Sequence, residues 1–191
     1  VEEIRMLCQM IDKYLKSRAR DPRAKKCFHP SSLHRSEKDL YRMFFDGDQQ
    51  EFSPRVLRIF DNGHYVHERL QAYLTEMGFL IQAEVPVFNR EYDINGTCDG
   101  IIRIGDKRGV LEIKSINQNQ FYSLHEPKAD HLVQLNVYMF CVDIPRGCLL
   151  YECKNDQELK VFFVRQDRDI LYPVLEKIKY VQKCIRKGVE P

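Results

Sequence analysis

The chain is most informative first in what it lacks. Its seven cysteines (Cys8, Cys27, Cys98, Cys141, Cys148, Cys153 and Cys184) are odd in number and include no C-x-x-C pair. That argues against a secreted disulfide framework and against a zinc ribbon or knuckle, and for a reducing, intracellular compartment. No run of about 18 apolar residues occurs, so no membrane-spanning helix is expected. There is no excess charge of either sign: 30 Lys and Arg face 28 Asp and Glu, for a net charge of +2. A uniformly basic nucleic-acid coat protein is excluded, and any nucleic-acid contact must come from local patches. With 9 Gly and 8 Pro in 191 residues, collagen-like and low-complexity architectures are excluded too. The opening VEEIRMLCQM is acidic and amphipathic, without the basic and apolar regions of a signal peptide, and its start at Val rather than Met is expected of a trimmed or processed chain.

What is present is ordinary globular patterning. Ile4, Leu7, Ile11, Tyr14 and Leu15 follow helical spacing and predict an amphipathic helix over 2–17. A basic loop follows, with Lys16, Arg18, Arg20, Arg23, Lys25 and Lys26 against Asp21. It reads equally as a solvated connector and as a phosphate-contacting segment. A second helix is expected from Ser31 or Ser32 to about Phe45, with Leu33, Leu40, Tyr41 and Phe44 on one face. The third is bounded by Ser53 as N-cap, Pro54 in the first turn and Gly78 after its end. Val56, Ile59, Phe60, Gly63, Val66, His67, Leu70, Leu74 and Met77 trace its apolar stripe, with His67 on or at the edge of the inward side.

Beyond Gly78 the period turns extended. FLIQAEVPVF, TCDGIIRI and GVLEIKSI read as strands, with GDKRG turning between the last two. A helix over 128–142, a hairpin of RGCLLYECK and ELKVFFVR around Asn155-Asp156, and a helix over about 168–187 complete the chain. No internal repeat and no Pro/Gly/Ser linker appears. The fold class expected is α/β: a single domain with a central mixed β-sheet flanked by helices.

The chemistry concentrates on two strands. Side chains alternate along a strand, so Glu112 and Lys114 share a face while Ile113 turns to the core. The tight turn before them allows Asp99 onto the same side as Glu112. Two converging carboxylates are costly without a positive charge between them, and a divalent cation with oxygen ligands is the natural occupant. Lys114 beside it is suited to orient or deprotonate a water. Taken alone, Glu-x-Lys on a strand is a common exposed charge pair, and a lone His on an apolar face is more often a satisfied core residue. Gln134 and Tyr138, four apart on one helix face, read on their own as a boundary face.

Together these residues carry a resemblance. Gly63-x-x-x-His67-Glu68, Asp99-Gly100, Glu112-Ile113-Lys114-Ser115 and Gln134-x-x-x-Tyr138 resemble the PD-(D/E)XK nuclease superfamily over about residues 28–140, and within it the RecB/Cas4-type exonuclease branch. The resemblance implies a restriction-endonuclease-like core and a Mg²⁺- or Mn²⁺-dependent DNA nuclease, an exonuclease before an endonuclease. His67, Asp99 and Glu112 match the metal ligands, with the Ile113 main-chain carbonyl a further one. Lys114 matches the catalytic lysine, and Gln134 and Tyr138 the helix residues that organise the site and touch the DNA backbone. Glu84 matches a supporting acidic position, and His64 and His131 are candidates to face the cleft.

On this reading residues 1–50 form a helical part with the basic loop, 53–142 the catalytic core, and 146–191 the hairpin and last helix. DNA ends or single strands are the expected partner, with Lys114, the basic residues of 16–26, and Arg35, Lys38 and Arg42 contacting phosphates. An iron–sulfur cluster, present in many Cas4-type members, is not expected. Ser36 stands about where the early Cys would be, and Cys141, Cys148, Cys153 and Cys184 lack the tight spacing, although Cys27 remains an early candidate. Two alternatives keep the fold: a structure-specific or RNA-directed endonuclease, and a non-catalytic nucleic-acid-binding domain.

Overall fold

The computed structural model describes residues 2–18, 26–47 and 51–191. Much of the basic loop, including Arg20, Arg23 and Lys25, lies outside them. The described elements are α1 (Glu2–Arg18), a short 3-10 turn (Pro30–Ser32), α2 (Glu37–Asp46), α3 (Pro54–Glu76), β1 (Leu80–Asn89), β2 (Ile94–Ile104), β3 (Lys107–Ile116), α4 (Gln118–Tyr122), α5 (Ala129–Val142), β4 (Arg146–Cys153), β5 (Leu159–Arg165) and α6 (Arg168–Lys187).

The five strands form one mixed sheet in sequence order. All neighbours are antiparallel except β3 and β4, which run parallel from Val110↔Gly147 to Ile116↔Cys153. A parallel pair needs a long crossover, and α4 and α5 supply it. One face of the sheet is covered by α3, whose Val66 and Leu70 pack on Ile102, Leu111, Ile113 and Cys148. The other is covered by α5, whose Leu135, Tyr138 and Met139 meet Val110, Leu149, Tyr151 and Cys153. Val137, on the opposite side of α5, packs with α2 and α6 through Leu40, Leu171, Val174 and Ile178. A helix covered on both sides is apolar nearly all round, so the polar residues that α5 keeps on its sheet side stand out. The result is a single α/β domain with a five-stranded mixed sheet flanked by helices. No described helix is long and apolar enough to cross a membrane.

Local signals explain the boundaries. The Ser53 side chain accepts the Val56 N–H, Pro54 occupies the first turn of α3, and Gly78 takes a φ of 72° after its end. The second helix begins later than its apolar spacing predicts. Residues 30–32 make a 3-10 turn, and Ser36 is the true N-cap, accepting the Asp39 N–H at 3.2 Å. Leu33 is buried all the same, because the turn delivers it to the α5–α6 layer. Two other expectations change. Phe60 and Met77, placed on the inward stripe of α3, are exposed, and so are Leu7, Ile11 and Tyr14 of α1, while Leu15 is buried. The short α4, capped by Asn117, has too few residues for a periodicity to reveal it.

Of the cysteines, Cys98, Cys148, Cys153 and Cys184 are buried as free thiols, and burial pushes Cys98 and Cys148 up to about 12. They behave as small apolar residues.

The β3–β4 pairing leaves little room at Gly147, where a Cβ would lie 2.8 Å from the Val110 carbonyl oxygen and 2.9 Å from Leu135 Cδ1. Gly147→Ala is therefore expected to destabilise the domain by about 1–3 kcal/mol through overpacking. A urea midpoint unchanged from wild type would show that α5 yields at this point.

Candidate active site

The site forms where β2 and β3 part. Their last paired residues are Gly100 and Leu111. Beyond them the Ile113 N–H donates to Asp99 Oδ2 at 2.5 Å, so a side chain bridges the strands there. Asp99 is then held from α3 at two points one helical turn apart. His67 Nδ1 lies 3.1 Å from Asp99 Oδ1, and Gln71 Nε2 donates to the Asp99 carbonyl at 2.8 Å. The same Gln71 amide donates to Glu84 Oε1 at 2.7 Å. Glu84 has a φ of 48°, unusual for a residue with a side chain, next to the β1 irregularity at Leu80/Gln82. It thus supports the Asp99 backbone through Gln71.

Glu112 and Lys114 share a face of β3, as the strand alternation requires. Lys114 Nζ donates to Glu112 Oε1 at 2.7 Å and to Gln134 Oε1 at 2.8 Å, and Gln134 Nε2 donates to the Tyr138 hydroxyl at 3.1 Å. Gln134 and Tyr138 are both buried. They are part of one polar chain running from α5 through Lys114 to Glu112, not a boundary face turned to water. Ile113 packs its side chain beneath α3 with Val66 and Leu70.

Electrostatics mark the same place. Glu112 is buried, and Oε2, its second carboxylate oxygen, has no hydrogen-bond partner. Burial, with the Asp99 charge beside it, pushes Glu112 up to about 8 despite Lys114. Burial pulls His67 down, but the hydrogen bond to Asp99 and the charges of Asp99 and Glu112 outweigh it, and the net shift is upward. Burial drives the Tyr138 phenol well up, so it stays protonated.

An imidazole nitrogen, two carboxylates and the Ile113 carbonyl are donors of the type a Mg²⁺ or Mn²⁺ site uses. The orphaned Glu112 oxygen is the feature a cation would satisfy. As they stand, the side chains bond to one another: His67 to Asp99, Asp99 to Ile113, Glu112 to Lys114. Among the described residues no group of three His, Cys, Asp or Glu is arranged around a common point as a metal-ligand set.

The other candidates fall in different places. His64 is exposed and pairs with Glu68 at 3.1 Å, though it lines the outer cleft. His131 Nδ1 lies 2.8 Å from the Tyr151 hydroxyl, and burial, helped by the Lys114 charge, pulls it down to about 4. Lys38 and Arg42 pair with Glu190 near the carboxyl end and not with any site residue. Arg35 lines a separate cavity of about 300 Å³ with His29, Ser31 and Ser32. Sequence reasoning missed Gln71, although its position four residues after His67 was the available signal. It also missed Lys154, and quoted Ser115 in a motif without giving it a role; both line, with Phe60, Gly63, His64, His67 and Lys114, an open cleft of about 490 Å³.

No protein-family model matches the chain, and no curated protein matches it. Solved structures do. An alkaline exonuclease (LHK-Exo) from Laribacter hongkongensis superposes with a TM-score of 0.63 at 13% identity, over 87% of this chain and 91% of that one. A phage-related exonuclease from Haemophilus somnus 129PT gives 0.60 at 13% identity, over 85% and 96%. The protein SSO0001 gives 0.62 at 17% identity, over 93% and 86%. What is shared is the fold. At this identity the likeness reaches no further than the fold and does not single out the RecB/Cas4 branch.

The raised Glu112 carries a pH signature in chelator-treated protein. An acid whose folded pKa lies above its unfolded value contributes stability that is intact below about 4.5 and is lost as pH rises through about 8. Glu112→Gln does not titrate. Its stability relative to wild type is therefore expected to rise by about 2 kcal/mol or more between pH 5 and pH 8, since each tenfold change in an ionisation constant is worth about 1.4 kcal/mol. Urea unfolding at the two pH values checks this, and a flat or falling difference would show that Glu112 is ionised throughout.

Proposed function

We propose that the protein is a divalent-metal-dependent deoxyribonuclease of the RecB/Cas4 type that acts on DNA ends as an exonuclease, in intracellular end processing during replication, recombination or repair. The observation that carries this reading is the buried Asp99–Glu112 pair with an unpartnered Glu112 oxygen, beside a lysine fixed at 2.7 Å from Glu112 Oε1. Exonuclease neighbours of the same fold, one of them LHK-Exo in complex with dAMP, support it.

His67, Asp99, Glu112 and the Ile113 carbonyl are the groups that would hold Mg²⁺ or Mn²⁺. When bound, the ion supplies Lewis-acid polarisation of a phosphodiester and a water of lowered pKa. The protein's own part is positioning. Gln71 and the Ile113 N–H fix Asp99, so that its carboxylate is presented without a loop having to close. Gln134 holds the Lys114 ammonium from behind, with Tyr138 holding Gln134, so the lysine faces the position of an attacking water or the charge growing on phosphate. Among the described residues no base-reading motif accompanies the site, and little sequence specificity is expected.

Digestion of 5′- and 3′-labelled single-stranded, linear duplex and closed circular DNA with Mg²⁺ or Mn²⁺ tests the reading. Linear substrates are expected to be shortened from an end and circles spared. Cleavage of closed circles would replace the exonuclease by an endonuclease, and no cleavage of any substrate would leave a nucleic-acid-binding domain.

Lys114→Ala is expected to lower cleavage by about 10²-fold or more while leaving folding and Mn²⁺ binding nearly intact. Turnover close to wild type would make Lys114 a counter-charge only. His67→Ala is expected to lower Mn²⁺ affinity and activity together, with partial rescue at high metal, and to remove the fall in metal affinity as pH drops through the histidine range. The competing outcome, a large loss of metal-free thermal stability with unchanged metal affinity, would make His67 a packing residue.

A further inference from the structure

The cleft beside Lys114 contains three features that the cleavage chemistry does not use. The first is Phe60. It lies on the same face of α3 as His67, seven residues and about 10.5 Å earlier along the helix axis. The residue is 51% exposed, and its ring meets that of Phe52 edge-on at 4.9 Å between centroids. The second is Lys154. It follows directly after β4, with its N–H fixed on the Ile116 carbonyl at 2.8 Å, so its side chain projects at the carboxyl ends of the parallel β3–β4 pair. It is half-buried, burial pulls its pKa down, and no carboxylate among the described residues pairs with it. A partly desolvated ammonium without a counter-ion costs stability, which a bound anion restores. The third is the Ser115 hydroxyl. Half-buried, it lines the cleft across from Gly63, where a Cβ would stand 3.4 Å from its Oγ.

An exposed ring, a hydroxyl and an unpaired cation along one wall match the repeating chemistry of a nucleotide: a flat base and a phosphate. We propose that this cleft is a subsite for an unpaired DNA strand, in which Phe60 stacks on a base and Lys154 with Ser115 holds the phosphate adjacent to the one beside Lys114. The inference rests on the nuclease reading and narrows its substrate. A base inside a duplex has both faces covered by its neighbours, whereas an unpaired or frayed nucleotide offers a face to the ring. The site therefore takes single-stranded ends in preference to blunt duplex ends.

The test separates binding from cleavage. A fluorescent single-stranded oligonucleotide and a blunt hairpin duplex of equal length are titrated in EDTA and read by anisotropy, and the same variants are then assayed for cleavage with Mn²⁺. Phe60→Leu is expected to weaken single-strand binding about tenfold or more, with little change for the duplex, while Phe60→Tyr binds as wild type. Lys154→Gln is expected to weaken binding and to reduce the slope of log K against log salt by about 0.7, the loss of one phosphate contact, and Lys154→Arg to restore both. Wild-type affinity in Phe60→Leu and Lys154→Gln, equal losses on both DNAs, or no single-strand binding by the wild type would each overturn the subsite. If those variants cleave and bind as wild type, the nuclease reading stands and the subsite falls. If the wild type shows the expected binding pattern but cleaves nothing, the subsite stands and the nuclease reading falls.

Discussion

The structure turns on two carboxylates placed where neither is well solvated. Asp99 and Glu112 lie at the point where β2 and β3 separate, both buried. Burial and the neighbouring Asp99 charge raise the cost of ionising Glu112, and the polar contacts around the pair offset the cost of burying it. Asp99 takes one N–H from Ile113 and one ring nitrogen from His67, while Gln71 anchors its backbone. Glu112 takes the Lys114 ammonium on one oxygen. The arrangement is electrostatically incomplete by one oxygen, and that shortfall gives the place its chemical character.

The sheet topology makes such a site mechanically firm. The parallel β3–β4 pairing requires the α4–α5 crossover, and the crossover lays α5 across the sheet between two apolar layers. Gln134 and Tyr138 are thus carried on a helix that cannot easily shift, and Lys114 is steadied by a side chain that is itself held by packing. On the opposite face, α3 brings His67 and Gln71 to Asp99 from a helix anchored by Val66 and Leu70. Both halves of the site are held by regular elements, which keep donors in place better than loops do.

How much of this could be seen in the sequence depended on whether the cause was local. The limits of α3 were legible because Ser53, Pro54 and Gly78 each act on neighbouring backbone. Glu112 and Lys114 were legible as a same-face pair because strand alternation is local too, and the pairing across the β2–β3 turn brought Asp99 within reach. The second helix was misjudged because Ser31 and Ser36 are both acceptable caps, and only packing of Leu33 against α6 decides between them. Phe60 fell on the apolar stripe of α3 by spacing, yet it is exposed and lines the cleft. Lys154 had no local signal at all. Its position follows from a parallel pairing between strands some forty residues apart.

The contrast with another buried carboxylate shows that the shortfall at Glu112 is not imposed by the fold. Glu152, one strand over, is as deeply buried, with its side chain 2% exposed. Yet both its oxygens accept from Arg69 Nη2, at 2.8 and 2.7 Å, and the guanidinium itself lies over the Tyr73 ring. There the chain meets the cost of burying an acid with a cation of its own, in the geometry that breaks most expensively when one partner is removed. Both acids lie in one sheet, and only Glu152 is given a cation of its own, from α3. At Glu112 the Lys114 ammonium is shared with Gln134, and the second carboxylate oxygen is buried without a hydrogen-bond partner. A satisfied acid stabilises a fold. An unsatisfied one beside a second carboxylate lowers stability and raises affinity for an external cation by the same interaction.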